Sequence, residues 1–327
     1  MYSLVIPVYK NEGSITPLIR TIEQLNQQLE NQLEAVFVVD GSPDQSYALL
    51  KEKLPNTRFK SKLLLLSRNF GSYAAIRAGL DAAEGTYFAV MAADLQEPPE
   101  LVLEFFRCLS TENIDVTFGV RKNRQDPLQQ KIPANIYWYL YKKFVQKDMP
   151  HGGIDIFGCN LQFRNQLLQL NELNSSLIGL ALWLGFKRKL ISYERLERQH
   201  GKSAWGLRKK IKYAMDSSFA FSDLPIRFLY FTGISGIVLS AIFALIIVIT
   251  KFSGAIPIPG YATTIITIIF FAALNSMGLG IIGSYVWRAF ENTKTRPHSI
   301  VMSQLKFTHE AGMENPSRIL TGDTSLS

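Results

Sequence analysis

Cysteine and histidine are scarce in this chain of 327 residues, which contains two cysteines and four histidines. Cys108 and Cys159 match no metal-ligand spacing, so the sequence excludes a disulfide framework and a cysteine-based zinc site. We interpret both thiols as structural residues of a protein from a reducing compartment.

Charge is missing from two long stretches near the C-terminus. Residues 228–250 and 262–287 contain no charged side chain, and each exceeds the roughly 20 apolar residues that cross a bilayer core. We therefore predict two transmembrane helices within residues 227–290. Basic residues flank the pair while Lys251 alone lies between them, so the positive-inside rule places both ends in the cytoplasm. Their small intramembrane surface is compatible with a homo-oligomer.

A signal peptide is also missing, because the first residues carry neither a basic segment nor a small-residue cleavage site. We expect the large N-terminal part to stay in the cytoplasm, attached to the inner (plasma) membrane by a multi-pass anchor. The net charge of +8 favours anionic lipid head groups and anionic substrates near the membrane. Nothing in the charge pattern indicates nucleic acid.

Alternating strands and helices fill the N-terminal part. Apolar runs at 2–7, 35–39, 62–66 and 87–92 predict strands, and amphipathic segments between them predict helices. A helix over 99–109 and a strand over 116–120 follow. This alternation predicts an α/β fold with a mostly parallel sheet and helices on both faces.

Polar side chains follow each predicted strand. Asp94 and Gln96 follow the fourth strand, and such an oxygen pair suits a divalent cation that also holds a diphosphate. The alternative is that Asp94 caps the helix beginning near Pro99. Glu12 and Asp40 can accept from a nucleobase or ribose, and Arg68 can pair with a phosphate. Because ligands bind at the carboxyl edge of open α/β sheets, these residues predict one shared site.

Six motifs together resemble those of inverting glycosyltransferases of the GT-A fold. The similarity is to the polyisoprenyl-phosphate glycosyltransferases, the family of dolichol-phosphate mannose synthase and the GtrB-type bactoprenol glucosyltransferases. The motifs are VIPVYKNE (5–12), VVDGSPD (38–44), SRNFG (67–71), MAADLQEPP (91–99), GGID (152–155) and RQHGKS (198–203).

The resemblance implies a division of the chain into four parts. These are a cytoplasmic GT-A catalytic domain (1–200), a juxtamembrane amphipathic helix (201–226), two transmembrane helices (227–290) and a cytoplasmic C-terminal tail (291–327). The implied reaction moves one hexose, glucose from UDP-glucose being favoured, onto undecaprenyl or another polyprenyl phosphate at the cytoplasmic face.

The resemblance also implies residue roles. Asp94 and Gln96 would hold Mg²⁺ or Mn²⁺, and Asp155 would act as a base or position the acceptor. The residues implied in substrate binding are Pro7, Tyr9, Glu12, Asp40, Arg68, Asn69 and Ser203. Arg198 and Lys202 would hold the lipid phosphate or the donor diphosphate, although both also fit an interfacial charge cluster.

Two departures from the family pattern affect these roles. Val39 leaves Asp40 as a single carboxylate where relatives often carry two. Ala92 stands where many relatives carry an Asp, which should loosen the cation without abolishing its binding.

Other functions stay open. The donor could be GDP-mannose or a UDP-N-acetylhexosamine. A processive polysaccharide synthase is disfavoured because two helices cannot line a wide channel. A non-catalytic membrane scaffold is the alternative from another class, and the joint presence of Arg68, Asp94 and Asp155 argues against it.

Overall fold

The computed structural model describes residues 1–122, 142, 148–150, 153–172, 175–196, 215–216, 219–222, 224–252 and 260–308. Eight strands in these ranges form one sheet, in the spatial order β7-β5-β6-β4-β1-β2-β3-β8. The strands are β1 (Tyr2–Val8), β2 (Leu33–Val39), β3 (Lys60–Leu66), β4 (Tyr87–Val90), β5 (Val116–Arg121), β6 (Ile154–Asn160), β7 (Arg188–Tyr193) and β8 (Val301–Phe307).

Eight helices accompany this sheet in the described ranges. They are α1 (Ile15–Gln28), α2 (Ser46–Lys53), α3 (Ser72–Ala82), α4 (Pro99–Thr111), α5 (Leu161–Gln169), α6 (Leu177–Trp183), α7 (Leu224–Phe252) and α8 (Tyr261–Thr293). Short 3-10 turns span Glu12–Ser14 and Leu54–Asn56.

The central strands are covered on both faces. All seven residues of β2 are buried, as expected of an apolar strand in the middle of an α/β sheet. Right-handed crossovers place α1 and α2 on one face and α3 on the other. Gly79 lets α3 approach closely, because a Cβ at that position would lie 2.3 Å from Val5 Cγ1.

The sheet is more mixed than the predicted mostly parallel one. Strands β1 to β4 pair in parallel, as do β5 and β7. Strand β6 runs antiparallel to both β4 and β5, and β8 runs antiparallel to β3. The sequence pattern predicted the parallel core, whereas the antiparallel strands come from later parts of the chain that return to it.

This topology brings the ends of six strands to one edge of the sheet. The carboxyl ends of β1 to β4 meet there, and the antiparallel strands β6 and β8 begin there. The chain passes from β1 to β2 and β3 on one side of β1, then crosses to β4 on the other. The carboxyl ends of β1 and β4 therefore flank the topological switch point, where open α/β sheets bind ligands.

Helices α7 and α8 are long and lie against each other. A Cβ on Gly278 would be 3.0 Å from Leu229, and one on Gly236 would be 3.7 Å from Phe271. Small residues at such a crossing let two helices approach closely. Within the described residues, one helical stretch, Phe270–Thr293, is long and apolar enough to cross a membrane. Most of the predicted juxtamembrane helix, 201–226, lies outside the described residues.

The segment predicted as a tail, 291–327, contains β8. Beside it, the Ser67 amide donates to the Ile300 carbonyl at 3.0 Å, and Lys306 pairs with Glu84 at 2.9 Å. The chain leaving α8 therefore returns to the sheet at the edge where β3 ends.

Candidate active site

The described site residues predicted from sequence lie along this one edge. Pro7 and Tyr9 are at the end of β1, Asp40 follows β2, and Arg68 and Asn69 follow β3. Asp94 and Gln96 follow β4, and Asp155 is the second residue of the neighbouring antiparallel strand β6. The fold thus brings together side chains that five different strands contribute.

The loops after β1 and β2 are joined by side-chain hydrogen bonds. Ser42 Oγ accepts from the Lys10 amide at 2.8 Å, and Asp44 accepts from the Glu12 amide at 3.1 Å. Glu12 accepts in return from the Gln45 amide at 3.0 Å. Burial alone would raise the pKa of Asp44, but hydrogen bonds from Ser42, Ser46 and the Glu12 backbone outweigh it and lower that pKa. The predicted nucleobase contact of Glu12 stays a prediction, with one of its oxygens engaged in this junction.

Asp40 fixes the loop after β3. Its two carboxylate oxygens accept from the amides of Phe70 and Gly71 at 2.7 and 2.8 Å. This loop carries Arg68 and Asn69, both exposed, and the Arg68 guanidinium lies 4.3 Å from the centroid of the Phe70 ring. Asp40 is therefore placed to orient Arg68 and Asn69, and its predicted contact with the donor stays a prediction.

Gly41 brings the same two loops into backbone contact. Its φ is +54°, and a Cβ there would lie 2.3 Å from the Arg68 carbonyl carbon and 2.5 Å from the Asn69 nitrogen. Backbone atoms cannot move aside as a flexible side chain can. Any side chain at position 41 must therefore displace the Arg68 loop.

We expect Gly41→Ala to lower the free energy of unfolding by about 2 to 4 kcal/mol and to weaken UDP binding, because both backbone strain and a clash arise. Chemical denaturation and calorimetric titration with UDP measure the two effects. Gly185→Ala is the matched control, since φ is +70° there and the nearest atom would be 3.9 Å away. Equal UDP affinities in wild type and Gly41→Ala would show that this loop contact does not support donor binding.

The turn after β4 holds two acidic side chains inside the domain. Asp94 is 8% exposed and Glu97 is 2% exposed. Asp94 accepts from the Gln96 amide at 3.3 Å, and Glu97 Oε2 accepts from the Ala92 amide at 3.3 Å. Burial, followed by the charge of Asp94, raises the pKa of Glu97 to about 7. Glu97 therefore keeps its proton to a higher pH than an exposed glutamate would.

Gln96 is connected to the segment that follows β7. The Leu196 amide donates to the Gln96 carbonyl at 2.9 Å, and Gln96 Nε2 donates to the Leu196 carbonyl at 3.3 Å. Arg195 donates to Gln96 Oε1 at 2.5 Å. This segment leads into the RQHGKS motif, so the motif begins beside the β4 turn.

Asp155 is held by side chains from the strands beyond it. Arg121, at the end of β5, forms a bidentate pair with Asp155, with Nη2 to Oδ1 at 2.6 Å and Nε bonded to Oδ2. Tyr193, at the end of β7, donates to Oδ2 at 2.7 Å. Burial, and then the charge of Asp155, raise the pKa of Tyr193, so its hydroxyl stays protonated and able to donate. Both oxygens of Asp155 are thereby fixed in place.

The residues of the β4 turn fit a divalent cation. Within the described ranges no three His, Cys, Asp or Glu side chains group as metal ligands, but Mg²⁺ usually takes only one or two protein carboxylates and completes its shell with phosphate and water. Asp94 supplies a carboxylate and Gln96 an amide oxygen on one turn, and that amide oxygen also accepts from Arg195. A cation bound there would neutralise charge on a donor diphosphate.

Three predicted residues, Arg198, Lys202 and Ser203, lie outside the described residues.

Conversely, sequence reasoning assigned no role to four residues that the structure places at the edge. These are Glu97, Arg121, Tyr193 and Arg195. Arg121 directly follows the strand predicted over 116–120, and Glu97 lies within the MAADLQEPP motif, so the sequence carried the same signal for these two as for the residues that were predicted.

A family model for Glycosyl transferase family 2 matches residues 3–169, just over half of the chain. The chain belongs to glycosyl transferase family 2. A Bacillus subtilis protein described as a glycosyltransferase, CsbB, is 34% identical over 92% of this family 2 member and 91% of the relative. An undecaprenyl-phosphate 4-deoxy-4-formamido-L-arabinose transferase of Aeromonas hydrophila is 30% identical over 93% of this chain and 94% of that protein. The mixed sheet and the family membership together confirm a GT-A-like α/β fold.

Solved structures similar to this family 2 member include Staphylococcus aureus TarS 1–349 in complex with UDP-GlcNAc. The identity is 17% and the TM-score 0.43, over 68% of this chain and 74% of that one. Glucosyl-3-phosphoglycerate synthase from Mycobacterium tuberculosis, with Mn²⁺ and UDP, is 16% identical with a TM-score of 0.43, over 62% and 73%. Similarities this low say nothing about the donor, acceptor or metal of the present chain.

Proposed function

We propose that this glycosyltransferase is an inverting enzyme that transfers one hexose from a nucleotide sugar to polyprenyl phosphate at the cytoplasmic face of the plasma membrane. The observation that carries the proposal is that three features lie at one edge of the sheet. They are the acidic turn after β4, the hydrogen-bonded Asp155, and the segment that returns from α8, the proposed membrane helix. The chain from α8 rejoins the sheet at Ile300, hydrogen-bonded to Ser67 directly after β3. A lipid acceptor and the candidate site would then lie on the same side of the domain.

The contacts before α7 support the same orientation. A Cβ at Gly179 of α6 would lie 2.3 Å from the ring of Phe221, so that ring packs directly on the catalytic domain. Asp216 pairs with Arg288 of α8 at 2.7 Å, and the rings of Phe219 and Tyr285 are 5.0 Å apart. Side chains before α7 therefore contact both the α/β domain and α8.

The proposed reaction is a single displacement. An oxygen of the lipid phosphate forms a bond to the anomeric carbon while the bond from that carbon to the donor diphosphate breaks. The electron pair leaves with the nucleoside diphosphate, and attack from the opposite face inverts the configuration. A lipid phosphate is already anionic near neutral pH, so the step does not require a strong base.

The chain's own residues would bind and orient the reactants. Asp94 and Gln96 would hold Mg²⁺ or Mn²⁺, which supplies positive charge against the diphosphate. Arg68, stacked on Phe70, is exposed after β3 at the same edge of the sheet and would contact the donor. Asp155 has both oxygens engaged by Arg121 and Tyr193, a geometry that supports a positioning role over that of a base.

The names of several relatives support the proposed acceptor. Proteins named undecaprenyl-phosphate 4-deoxy-4-formamido-L-arabinose transferase align with more than nine-tenths of this chain. We favour glucose from UDP-glucose because of the sequence resemblance to bactoprenol glucosyltransferases. GDP-mannose and UDP-N-acetylhexosamines are the other donors to be tested.

The donor and the enzymatic activity can be tested together. Purified full-length protein in detergent micelles is incubated with Mg²⁺, a short polyprenyl phosphate and one radiolabelled nucleotide sugar at a time. We expect lipid-linked label from UDP-glucose. Label from GDP-mannose alone would overturn the glucose assignment, and absence of label with every donor would favour the non-catalytic scaffold.

We further propose that α7 and α8 form a transmembrane hairpin with the catalytic domain and both termini in the cytoplasm. Ser253→Cys, placed between the two helices, should react with an impermeant maleimide added from the periplasmic side. A cysteine at exposed Ser72, at the start of α3, is the cytoplasmic control and should react only after the membrane is opened. Equal labelling of both positions in intact cells would contradict this topology.

A further inference from the structure

We infer that Gln96 is a positioning residue that holds the segment after β7, residues 194–196, beside the turn after β4 for binding of the acceptor phosphate. The inference rests on the proposed function, because it presupposes a phosphorylated lipid acceptor. It gives Gln96 a role that the family resemblance does not imply, and substitution by glutamate separates this role from that of a cation ligand.

The contacts of Gln96 with Arg195 and Leu196 carry the inference. The Leu196 amide donates to the Gln96 carbonyl at 2.9 Å, and Gln96 Nε2 donates to the Leu196 carbonyl at 3.3 Å. Arg195 Nη2 donates to Gln96 Oε1 at 2.5 Å. Gln96 thus bonds both polar backbone groups of Leu196, and its carboxamide uses both its nitrogen and its oxygen on the same segment.

Little else in the described part of the chain holds this segment. Strand β7 lies at one edge of the sheet and ends at Tyr193, and residues 194–196 are all exposed. The Leu196 side chain is 49% exposed, so apolar burial contributes little to its position. Among the described residues, the hydrogen bonds to Gln96 are therefore what fixes the segment against the turn.

The shape of the turn also supports a positioning role. Leu95, directly before Gln96, has φ +55°, a left-handed conformation that is uncommon for a bulky side chain. Such a conformation persists where the surrounding contacts over-determine the backbone. The Gln96 amide donates to Asp94 Oδ1 at 3.3 Å, while the other polar groups of Gln96 bond Arg195 and Leu196. Contacts within the turn and across it thus hold Gln96 in place.

The guanidinium of Arg195 is the group that would contact the acceptor. Its bond to Gln96 Oε1 engages one N–H group, and no carboxylate in the described ranges pairs with it. Its other N–H groups are then free to donate to a phosphate. The RQHGKS motif, predicted to hold the lipid phosphate, follows shortly afterwards in the sequence. Fixing Arg195 would therefore fix the start of the predicted phosphate-binding segment.

Gln96→Glu is the deciding variant. A glutamate keeps an oxygen for Arg195 and is itself a good ligand for Mg²⁺, but it cannot donate to the Leu196 carbonyl. We expect the KM for undecaprenyl phosphate to rise about fivefold or more, as for one lost hydrogen bond, while the Kd for UDP with Mg²⁺ stays unchanged. Initial rates and calorimetric titration of the full-length protein measure the two quantities. Gln166→Glu, at an exposed position of α5, adds the same charge and should change neither.

Hydrogen–deuterium exchange adds a measurement that does not depend on turnover. Amide exchange over residues 194–196 should be about fivefold faster or more in Gln96→Glu, because a hydrogen bond that holds the segment is lost. Arg195→Gln should likewise raise the KM for the lipid and leave UDP binding unchanged. This exposed substitution decides the question if Gln96→Glu does not fold.

Three results would each overturn the inference. They are an unchanged KM for the lipid, weaker UDP binding with that KM unchanged, and equal exchange rates over residues 194–196 in wild type and variant. The second result would assign Gln96 to the cation site alone. Absence of transfer by the wild type to any lipid would instead contradict the proposed function, and the exchange rates would still decide whether Gln96 holds the segment.

Discussion

Replacing Asp94 with alanine is expected to lower the rate of sugar transfer by about a thousandfold or more, since charge on the leaving diphosphate would lose its main stabilisation. Asp94 follows β4, one of the two strands that flank the switch point, and it is 8% exposed. Initial rates with a labelled nucleotide sugar measure the loss.

The control for Asp94→Ala is Glu100→Ala, which removes an exposed carboxylate from the start of α4. It should retain nearly full activity. This result would show that removing a carboxylate near the turn is not by itself enough to lower the rate of sugar transfer. The alternative from sequence, in which Asp94 merely caps a helix, predicts a modest loss of stability with turnover preserved. Near-normal turnover in Asp94→Ala would favour that alternative and contradict the cation assignment.

The second large effect is expected at Asp155. We expect Asp155→Asn to lower kcat by about a hundredfold while leaving the Kd for UDP unchanged, because a small displacement of reacting groups is enough for such a loss. An asparagine amide would present its NH₂ group to Arg121 or Tyr193, both of which are donors. The hydrogen bonds that Arg121 of β5 and Tyr193 of β7 donate to Asp155 would then be lost. Single-turnover rates and calorimetric titration with UDP separate the two quantities.

A second Arg–Asp pair on the same chain provides the control. Asp148 pairs with Arg188 at 3.0 Å, and its side chain is 55% exposed. Such exposed pairs contribute little to stability, so Asp148→Asn should change neither kcat nor UDP affinity. An unchanged kcat in Asp155→Asn would assign Asp155 a structural role only. Weaker UDP binding with unchanged kcat would place it in the donor site instead.

The N-terminal half of the fold could be predicted closely from sequence. Periodic apolar residues and turn residues gave the order of elements from β1 to β5 with small errors at their ends. For example, the strand predicted over 116–120 is β5 (Val116–Arg121). Local patterning suffices there because each strand is a continuous apolar run buried on both faces.

The later strands could not be predicted in the same way. Strand β7 alternates exposed and half-buried residues, and β8 has several exposed apolar side chains, including Met302 at 64%. Both are stabilised by pairing with strands far away in the sequence. Local pattern carries little information about such pairing, and β8 therefore lay hidden within the segment predicted as a tail.

In the candidate site, too, the local sequence pattern predicted the residues of the parallel core but not the contacts that depend on distant strands. The strand-end rule identified Asp40 and Asp94 because each follows an apolar run in the parallel core. It did not identify Tyr193. The hydrogen bond from its hydroxyl to Asp155 depends on the spatial order β7-β5-β6, which the sequence pattern does not show. It also could not show that Asp40 uses both oxygens to hold the next loop, since that contact depends on three-dimensional proximity.

The most direct test of the central claim compares acceptors at a fixed donor. Full-length protein, Mg²⁺ and radiolabelled UDP-glucose are incubated with undecaprenyl phosphate, with undecaprenol or without lipid, and the organic phase is counted. We predict label in the organic phase only with the phosphorylated lipid, and none with Asp94→Ala. Equal label with undecaprenol, or the absence of label with undecaprenyl phosphate for every donor tested, would contradict transfer to a polyprenyl phosphate.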